Sequence, residues 1–330
     1  LERLLTINAD AKRYLIVFKR KSVFLLLLVF AFTKAAAQYD VSLSHYWDLE
    51  PSFNPAAVGK EAKLNVVGTY HIDFAGFEHN PQVAYIGADM PFYFARSYHG
   101  VGLSMINDKI GLFRHQRIGA QYAFRKKLLG GQLSVGLQAA LLLETFKGSE
   151  IDVDASEDVD PVLIKSDVSG NSFDLGAGIY YQRGRWYVGA SAQHLTAPTV
   201  HLGETNDLKI KRTFYLTGGY NIKLRNPFLS IPTSVLARYD GTAYRADITA
   251  RLVYTHEKKR LYLGVGYSPT NSVTAYIGGS FHGVQLGYSY EMYTTGVGIG
   301  HGSHGLVVKY QTDINLQKRG RNKHKSVRFL

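Results

Sequence analysis

The 330-residue chain has no cysteine. That removes a disulfide framework, a thiolate nucleophile and any Cys-based metal site. Proline is scarce, at nine residues. Long hydrophobic runs are missing too, and the mean hydropathy is only −0.11. A helical membrane protein needs roughly 20 consecutive apolar residues per crossing, so a helical transporter is excluded. A membrane β-barrel is not excluded, because every second residue of its strands can face a polar interior. Acidic residues are outnumbered, 26 against 38 Lys and Arg, for a net charge of +12. Nucleic-acid binding is the usual reading of such a balance, but that would cluster the cations on one recognisable module. Here they recur at short turns and collect at the C-terminus. No nucleic acid is expected as a partner.

Glycine (33), tyrosine (23) and phenylalanine (17) are plentiful instead. Such counts favour many strands joined by tight turns. At the N-terminus, Lys19, Arg20 and Lys21 precede an apolar run over residues 22–32, and Ala35, Ala36 and Ala37 follow. This is the layout of a secretory signal peptide over residues 1–37, with cleavage before Gln38. The run is too short for a membrane anchor. Residues 1–18 extend awkwardly beyond a normal start, and no methionine occurs before Met90.

Beyond Gln38 the pattern has period two. Tyr244, Ala246, Ile248, Ala250, Leu252 and Tyr254 alternate with Arg245, Asp247, Thr249, Arg251 and Val253. A charge facing lipid at the bilayer midplane costs roughly 2–4 kcal/mol, so the charged face must look inward. The same logic turns Asp174, Glu291 and Lys309 into the lumen, beside Arg245, Asp247 and Arg251. Fourteen strands are predicted, near residues 62–73, 82–91, 99–108, 115–126, 131–146, 172–182, 185–195, 210–223, 232–240, 243–255, 260–269, 272–281, 283–293 and 304–313. The expected fold is all-β, a transmembrane up-and-down antiparallel barrel of the outer-membrane type. A soluble sandwich favours shorter strands, and no propeller repeat of roughly 40–50 residues is visible.

The expected organisation is a signal peptide (1–37), an N-terminal periplasmic segment (38–61), the barrel (62–313) and a basic periplasmic tail (314–330). Short turns belong to the periplasmic side of such barrels and longer loops to the outside. Arg125, Lys126, Lys127, Arg183, Arg185, Lys223, Arg225, Lys258, Lys259 and Arg260 would mark a basic periplasmic rim. The tail, with Lys318, Arg319, Arg321, Lys323, Lys325 and Arg328, would extend that positive surface. It is either a solvated end or a docking peptide for an acidic partner. The acidic run from Glu150 to Asp160 lacks the Gly-centred spacing of a Ca²⁺ loop and reads as a solvated outer loop.

Several stretches of the mature chain resemble the PorP/SprF family of Bacteroidota. They are Ser44-His45-Tyr46 with Phe53-Asn54-Pro55-Ala56-Ala57-Val58-Gly59, then Gly76-Phe77, then a hairpin at residues 101–111 containing Asn107-Asp108-Lys109-Ile110-Gly111. Tyr288-Ser289-Tyr290 with Gly302-Ser303-His304 closes the series, departing from the family where Gly305 replaces an expected Glu. The resemblance implies an outer-membrane component of the type IX secretion and gliding machinery. It further implies partners in a PorK/PorN-like periplasmic ring, and adhesins or other cargo. Physically the motifs read as architecture: Asn54-Pro55 initiates a turn before the first strand, and Asn107, Asp108 and Gly111 suit a tight turn.

Chemistry is sparse. There is no Gly-x-Ser-x-Gly elbow and no His-Glu-x-x-His pair. His301 and His304, three apart in a Gly-rich turn, are a weak metal signal. No catalytic residue, metal or cofactor is expected. Two readings stand: a non-enzymatic secretion component, and a diffusion pore or small-solute transporter filtered by the charged lumen.

Overall fold

The computed structural model describes residues 39–150, 166–203, 206–269, 271–295 and 301–315. The expected signal peptide, the basic residues of the tail and most of the acidic loop lie outside the described residues. Fourteen antiparallel strands close into one barrel. They are β1 (Lys63–Ile72), β2 (Gln82–Phe94), β3 (Ser97–Ile110), β4 (Phe113–Leu128), β5 (Gly131–Phe146), β6 (Val168–Arg183), β7 (Trp186–Gln193) and β10 (Thr213–Lys223). The wall continues through β11 (Leu229–Tyr239), β12 (Tyr244–His256), β13 (Lys259–Ser268), β14 (Ser272–Phe281), β15 (Val284–Tyr293) and β16 (Gly302–Asp313). Pairing of β1 with β16, from Lys63 opposite Asp313 to Ile72 opposite His304, removes the sheet's edges.

Alternation fixes what each strand shows to lipid. Ile86, Leu103, Ile118, Leu137, Ile179, Leu216, Ile248, Leu263, Ile277 and Leu306 all point outward and are exposed in the isolated chain. Hydrocarbon is what such a belt needs, since fully burying one of these side chains is worth about 1.5–3 kcal/mol. Aromatic residues flank it at both ends, among them Tyr70, Tyr239, Tyr244 and Tyr267 at one and Phe94, Trp186, Tyr254 and Tyr310 at the other. The second end is where β1 begins and β16 finishes; we call it the proximal rim, and its opposite the distal rim. Proline keeps to places where the ladder can spare a donor. Pro91 lies beyond the last residue of β2 paired to β1, and the pairing of β11 with β12 skips Pro232.

Proximal turns are short and several hold two residues at positive φ: Ala95 and Arg96, Leu129 and Gly130, His282 and Gly283. That geometry matches the right-handed twist of the strands it joins. Lys126, Lys127, Arg183, Arg185, Lys223, Arg225, Lys258, Lys259 and Arg260 are exposed at this rim. Arg125 is not: it turns inward and is buried.

Three expectations need correction. The turn after β3 falls at Gly111 and Leu112, with Gly111 at φ 57°, and not at Asn107-Asp108. Asn107 and Asp108 are strand residues opposite Gln116 and His115, because the ladder with β4 runs on to Ile110 opposite Phe113. The stretch 196–209, read as a plain loop, contains a hairpin of β8 (Thr199–Leu202) and β9 (Asn206–Lys209) that folds onto Leu142 and Val168. Finally, residues 39–61 do not hang in the periplasm. They form one compact unit with the strands and run inside the barrel.

Candidate functional site: the occupied lumen

The inner segment descends from the distal end to the proximal rim before β1. Its first anchor is Asp40, whose carboxylate accepts from the Tyr215 hydroxyl at 2.7 Å and lies 3.1 Å from His194 Nε2. The other ring nitrogen of His194 is 2.8 Å from Asp174 Oδ2, and Thr196 donates to the same carboxylate at 3.0 Å. Burial alone would raise the pKa of Asp40, but His194 and Arg117 outweigh it and hold the carboxyl well below its ordinary range. Arg238 donates to the Asp40 and Val41 carbonyls at 2.5 and 2.8 Å. Tyr39 donates to Glu144, which also holds His115.

Lower down, the segment carries an aromatic cluster. Tyr46, Trp47 and Phe53 are buried among Tyr215, Tyr262 and Tyr276 of the wall. Tyr46 donates to the Ser234 carbonyl at 2.9 Å. Arg251 stacks over the Trp47 ring at 4.1 Å, a cation–π contact of the kind that strengthens when desolvated. Burial pushes His45 down to about 4, so its imidazole is neutral at pH 7. Burial alone would raise Asp48, but Lys309, 3.2 Å away, and Arg251 bring it down to about 2. Gln285 donates to its other oxygen at 2.8 Å.

The strongest fastening is over residues 51–59, where the wall supplies donors to backbone carbonyls. Arg117 reaches the Ser52 carbonyl at 2.8 Å. Gln121 reaches the Pro51 carbonyl at 2.6 Å and passes a second N–H to Gln138; Gln138 donates to Gln193, and Gln193 to the Phe53 carbonyl at 2.9 Å. This amide ladder crosses β4, β5 and β7 on inward positions. Ser191 also donates to Phe53, at 2.7 Å. Arg125 donates to the Val58 and Gly59 carbonyls, and Asp89 accepts from Gly59 N at 2.6 Å. Glu50 and Lys60 form an ion pair within the segment. Buried backbone groups must be paired, and the lumen wall pairs these.

Glycine makes the approach possible. A Cβ on Gly136 would sit 2.5 Å from Ala56 Cα, and one on Gly100 would overlap the Val58 carbonyl. Gly59 is at φ 61° with a Cβ position 2.8 Å from the Met90 carbonyl oxygen, so only glycine fits there. Residues 55–57 form a single 3₁₀ turn capped by Asn54, whose carboxamide oxygen accepts from Ala56 N. The Asn54 amide then donates to the Ile179 carbonyl at 3.1 Å. The cavities left beside Asp40 and Val41, and beside Tyr39 and Asp108, are each about 30 Å³, room for about one water.

All six residues assigned to the lumen from alternation face the interior, in separate groups. Arg245 pairs with Asp247 at 3.0 Å and with Glu291 at 2.9 Å. Asp174, Arg251 and Lys309 serve the inner segment. The motif residues divide: Asn54 and Pro55 belong to the segment, Asp108 points inward, and Asn107 and Lys109 point to the barrel's exterior. Asp108 is buried with neither carboxylate oxygen hydrogen-bonded among the described residues. His301 and His304 do not converge: His301 lies against Phe77 and the Ala75 carbonyl, and His304 on the Tyr288 hydroxyl. The docking cations of the tail fall outside the described residues. What the alternation rule missed was the occupant itself. The available signal was glycine at every second, inward position (Gly100 and Gly102, Gly136, Gly176 and Gly178), which marks a wall approached closely by other backbone.

The family model described as "Type IX secretion system membrane protein PorP/SprF" matches residues 35–310. This chain belongs to that family. The match spans both the inner segment and nearly all of the wall, so PorP/SprF membership covers the two parts together. No curated protein sequence matches the chain. Among solved structures, the CymD monoaromatic hydrocarbon channel is similar at a TM-score of 0.50 and 10% identity, over 86% of this chain and 96% of CymD. Omp33 of Acinetobacter baumannii gives 0.45 and 6%, over 76% and 98%. A FadL homologue of Pseudomonas aeruginosa gives 0.42 and 12%, over 80% and 93%. Identities this low speak to fold alone. Family and architecture together make this an outer-membrane β-barrel component of type IX secretion.

Proposed function

We propose that this PorP/SprF barrel is a closed, non-enzymatic part of the type IX secretion and gliding machinery. It docks periplasmic partners at its proximal rim and supports export or anchoring of surface proteins. The observation that carries this reading is the filled lumen: residues 39–61 occupy it through aromatic packing, ion pairs and a ladder of wall-to-backbone hydrogen bonds. A solute filter needs an open path, and the charges that would line one are spent on the segment (Asp174, Arg251, Lys309) or on one another (Arg245, Asp247, Glu291). The exposed cations of the proximal rim suit acidic partners such as a PorK/PorN-like ring, with Lys318, Arg319, Arg321, Lys323, Lys325 and Arg328 extending the surface.

The second reading is a small-solute channel. CymD and the toluene transporter TodX, both named for such transport, are barrels of this general kind. That reading requires the inner segment to move. Deleting the gene separates the two. A secretion component leaves type IX cargo in the periplasm with solute uptake intact; lost uptake with normal secretion refutes the proposal. Removal of residues 316–330 tests docking. The barrel still inserts, and co-purification of periplasmic partners falls, more so at raised salt, because exposed charges are screened beyond about 8–10 Å. Unchanged co-purification would dispose of the tail's role.

A further inference from the structure

The family hairpin at residues 101–111 does something besides turning the chain. Because its strand continues to Ile110, alternation sends Ile106 and Asp108 inward and Met105, Asn107 and Lys109 outward. Outside the barrel, at the distal rim, Asn107 and Lys109 border a groove of about 230 Å³. Arg114 comes from β4, Tyr70 and Gln82 from β1 and β2, and Lys147 from the chain after β5. Arg114 Nε donates to Asn107 Oδ1 at 2.7 Å, and Gln116 donates to the same oxygen at 2.9 Å. Among the described residues the guanidinium is thereby oriented through Nε alone. Among the described residues no carboxylate forms an ion pair with Arg114 or Lys109. Lys147 is shared with Glu150 at 2.9 Å in an exposed position. Directly toward the barrel's middle lie Leu103, Met105 and Ile118, exposed to lipid.

The groove therefore sits where hydrocarbon gives way to headgroups, with apolar wall on one side and, on the other, two cations without an ion pair among the described residues and a third paired with Glu150. Polar acceptors and donors from Asn107, Gln82 and the Tyr70 hydroxyl complete it; Tyr70 donates to Gln82 at 2.9 Å. Cations facing lipid rather than lumen, beside amide and phenol groups, match a ligand with a phosphate on a sugar and acyl chains beneath it. We propose that this groove binds the phosphorylated disaccharide of lipid A, the glycolipid of the outer leaflet. The assignment rests on the distal rim being the cell-exterior side, as the proposed function also holds.

The test is native mass spectrometry of the full chain in detergent, titrated with bisphosphorylated hexa-acyl lipid A. Its monophosphoryl form and phosphatidylglycerol serve as comparisons. The unaltered protein retains one lipid A, binds the monophosphoryl form more weakly, and binds phosphatidylglycerol least. The triple variant Lys109→Ala, Arg114→Ala, Lys147→Ala weakens lipid A binding by about tenfold, the scale of one or more lost charge-assisted contacts. A control removing Lys126, Lys127 and Lys259 at the opposite rim keeps the affinity. If the triple variant fails to show heat-modifiable migration, Lys109→Gln and Arg114→Gln are read singly, each expected to weaken binding. Equal affinity for phosphatidylglycerol, equal loss in the opposite-rim control, or unchanged binding in every groove variant overturns the proposal. Normal type IX secretion after deletion of the gene, with lipid A binding by the purified protein intact, would refute only the secretion reading, so the two failures are separable.

Discussion

Replacing Gly136 by valine should open the barrel without unfolding it. The glycine lies on the inner face of β5, where the backbone of Pro55 and Ala56 crosses. An added Cβ would stand 2.5 Å from Ala56 Cα, against about 3.5–4.0 Å for ordinary carbon contacts. The inner segment must retreat by about 1 Å at that point, and valine's methyl groups ask for more. Three neighbouring bonds have little slack: Asn54 to the Ile179 carbonyl at 3.1 Å, and Ser191 and Gln193 to the Phe53 carbonyl at 2.7 and 2.9 Å. At about 1 kcal/mol net per bond their loss amounts to about 3 kcal/mol, before counting the Arg125 bonds to Val58 and Gly59. The wall itself is spared, because β5 keeps its ladders to β4 and β6 and valine suits a strand. Single-channel recording in planar bilayers is the readout, with heat-modifiable migration as the control for a folded barrel. Gly136→Val should conduct where the unaltered protein is closed, and residues 39–61 should become accessible to protease. A folded Gly136→Val barrel that stays closed and protected would refute the idea that close glycine packing seats the segment.

Acidification should loosen the same segment in two stages. Burial depresses the His45 pKa to about 4, so the seated form resists a proton that a released segment accepts. Seating therefore weakens as pH falls from 6.5 to about 4, by about 3 kcal/mol. Asp48, depressed to about 2, stabilises seating fully above pH 4, and that contribution, about 2 kcal/mol, is lost as pH falls toward 2. Fluorescence of Trp47 in a Trp186→Phe background follows both stages. A His45→Gln variant that keeps the upper stage unchanged would exclude His45 as its cause. Asp108→Asn should hold or raise the thermal midpoint, because it removes a buried acid with no hydrogen-bond partner among the described residues; a clear fall would mean that the carboxylate is partnered in the membrane-embedded protein. Trp47→Ala should cost about 3–5 kcal/mol in denaturant stability, since Arg251 loses the ring it stacks on, and an unchanged midpoint would count against the aromatic cluster as a fastening.

Strand number and faces were legible in the sequence because a wall between lipid and lumen imposes period two on every residue that crosses it. Tyr244 through Tyr254 declare both faces of β12 with no help from any neighbour. Turn positions were less legible: Asn107 and Asp108 have turn-forming side chains, yet the ladder with β4 outbids them and moves the reversal to Gly111. The role of residues 39–61 was not legible at all. Nothing in Phe53-Asn54-Pro55-Ala56-Ala57-Val58-Gly59 carries a period, since the stretch is held from several strands at once: Phe53 by Ser191 and Gln193 on β7, Asn54 by Ile179 on β6, Val58 and Gly59 by Arg125 on β4, and Gly59 also by Asp89 on β2. Alternation along a strand is local and can be read from the chain; occupation of the lumen depends on contacts between residues far apart in sequence, and only closure of the barrel brings them to one place.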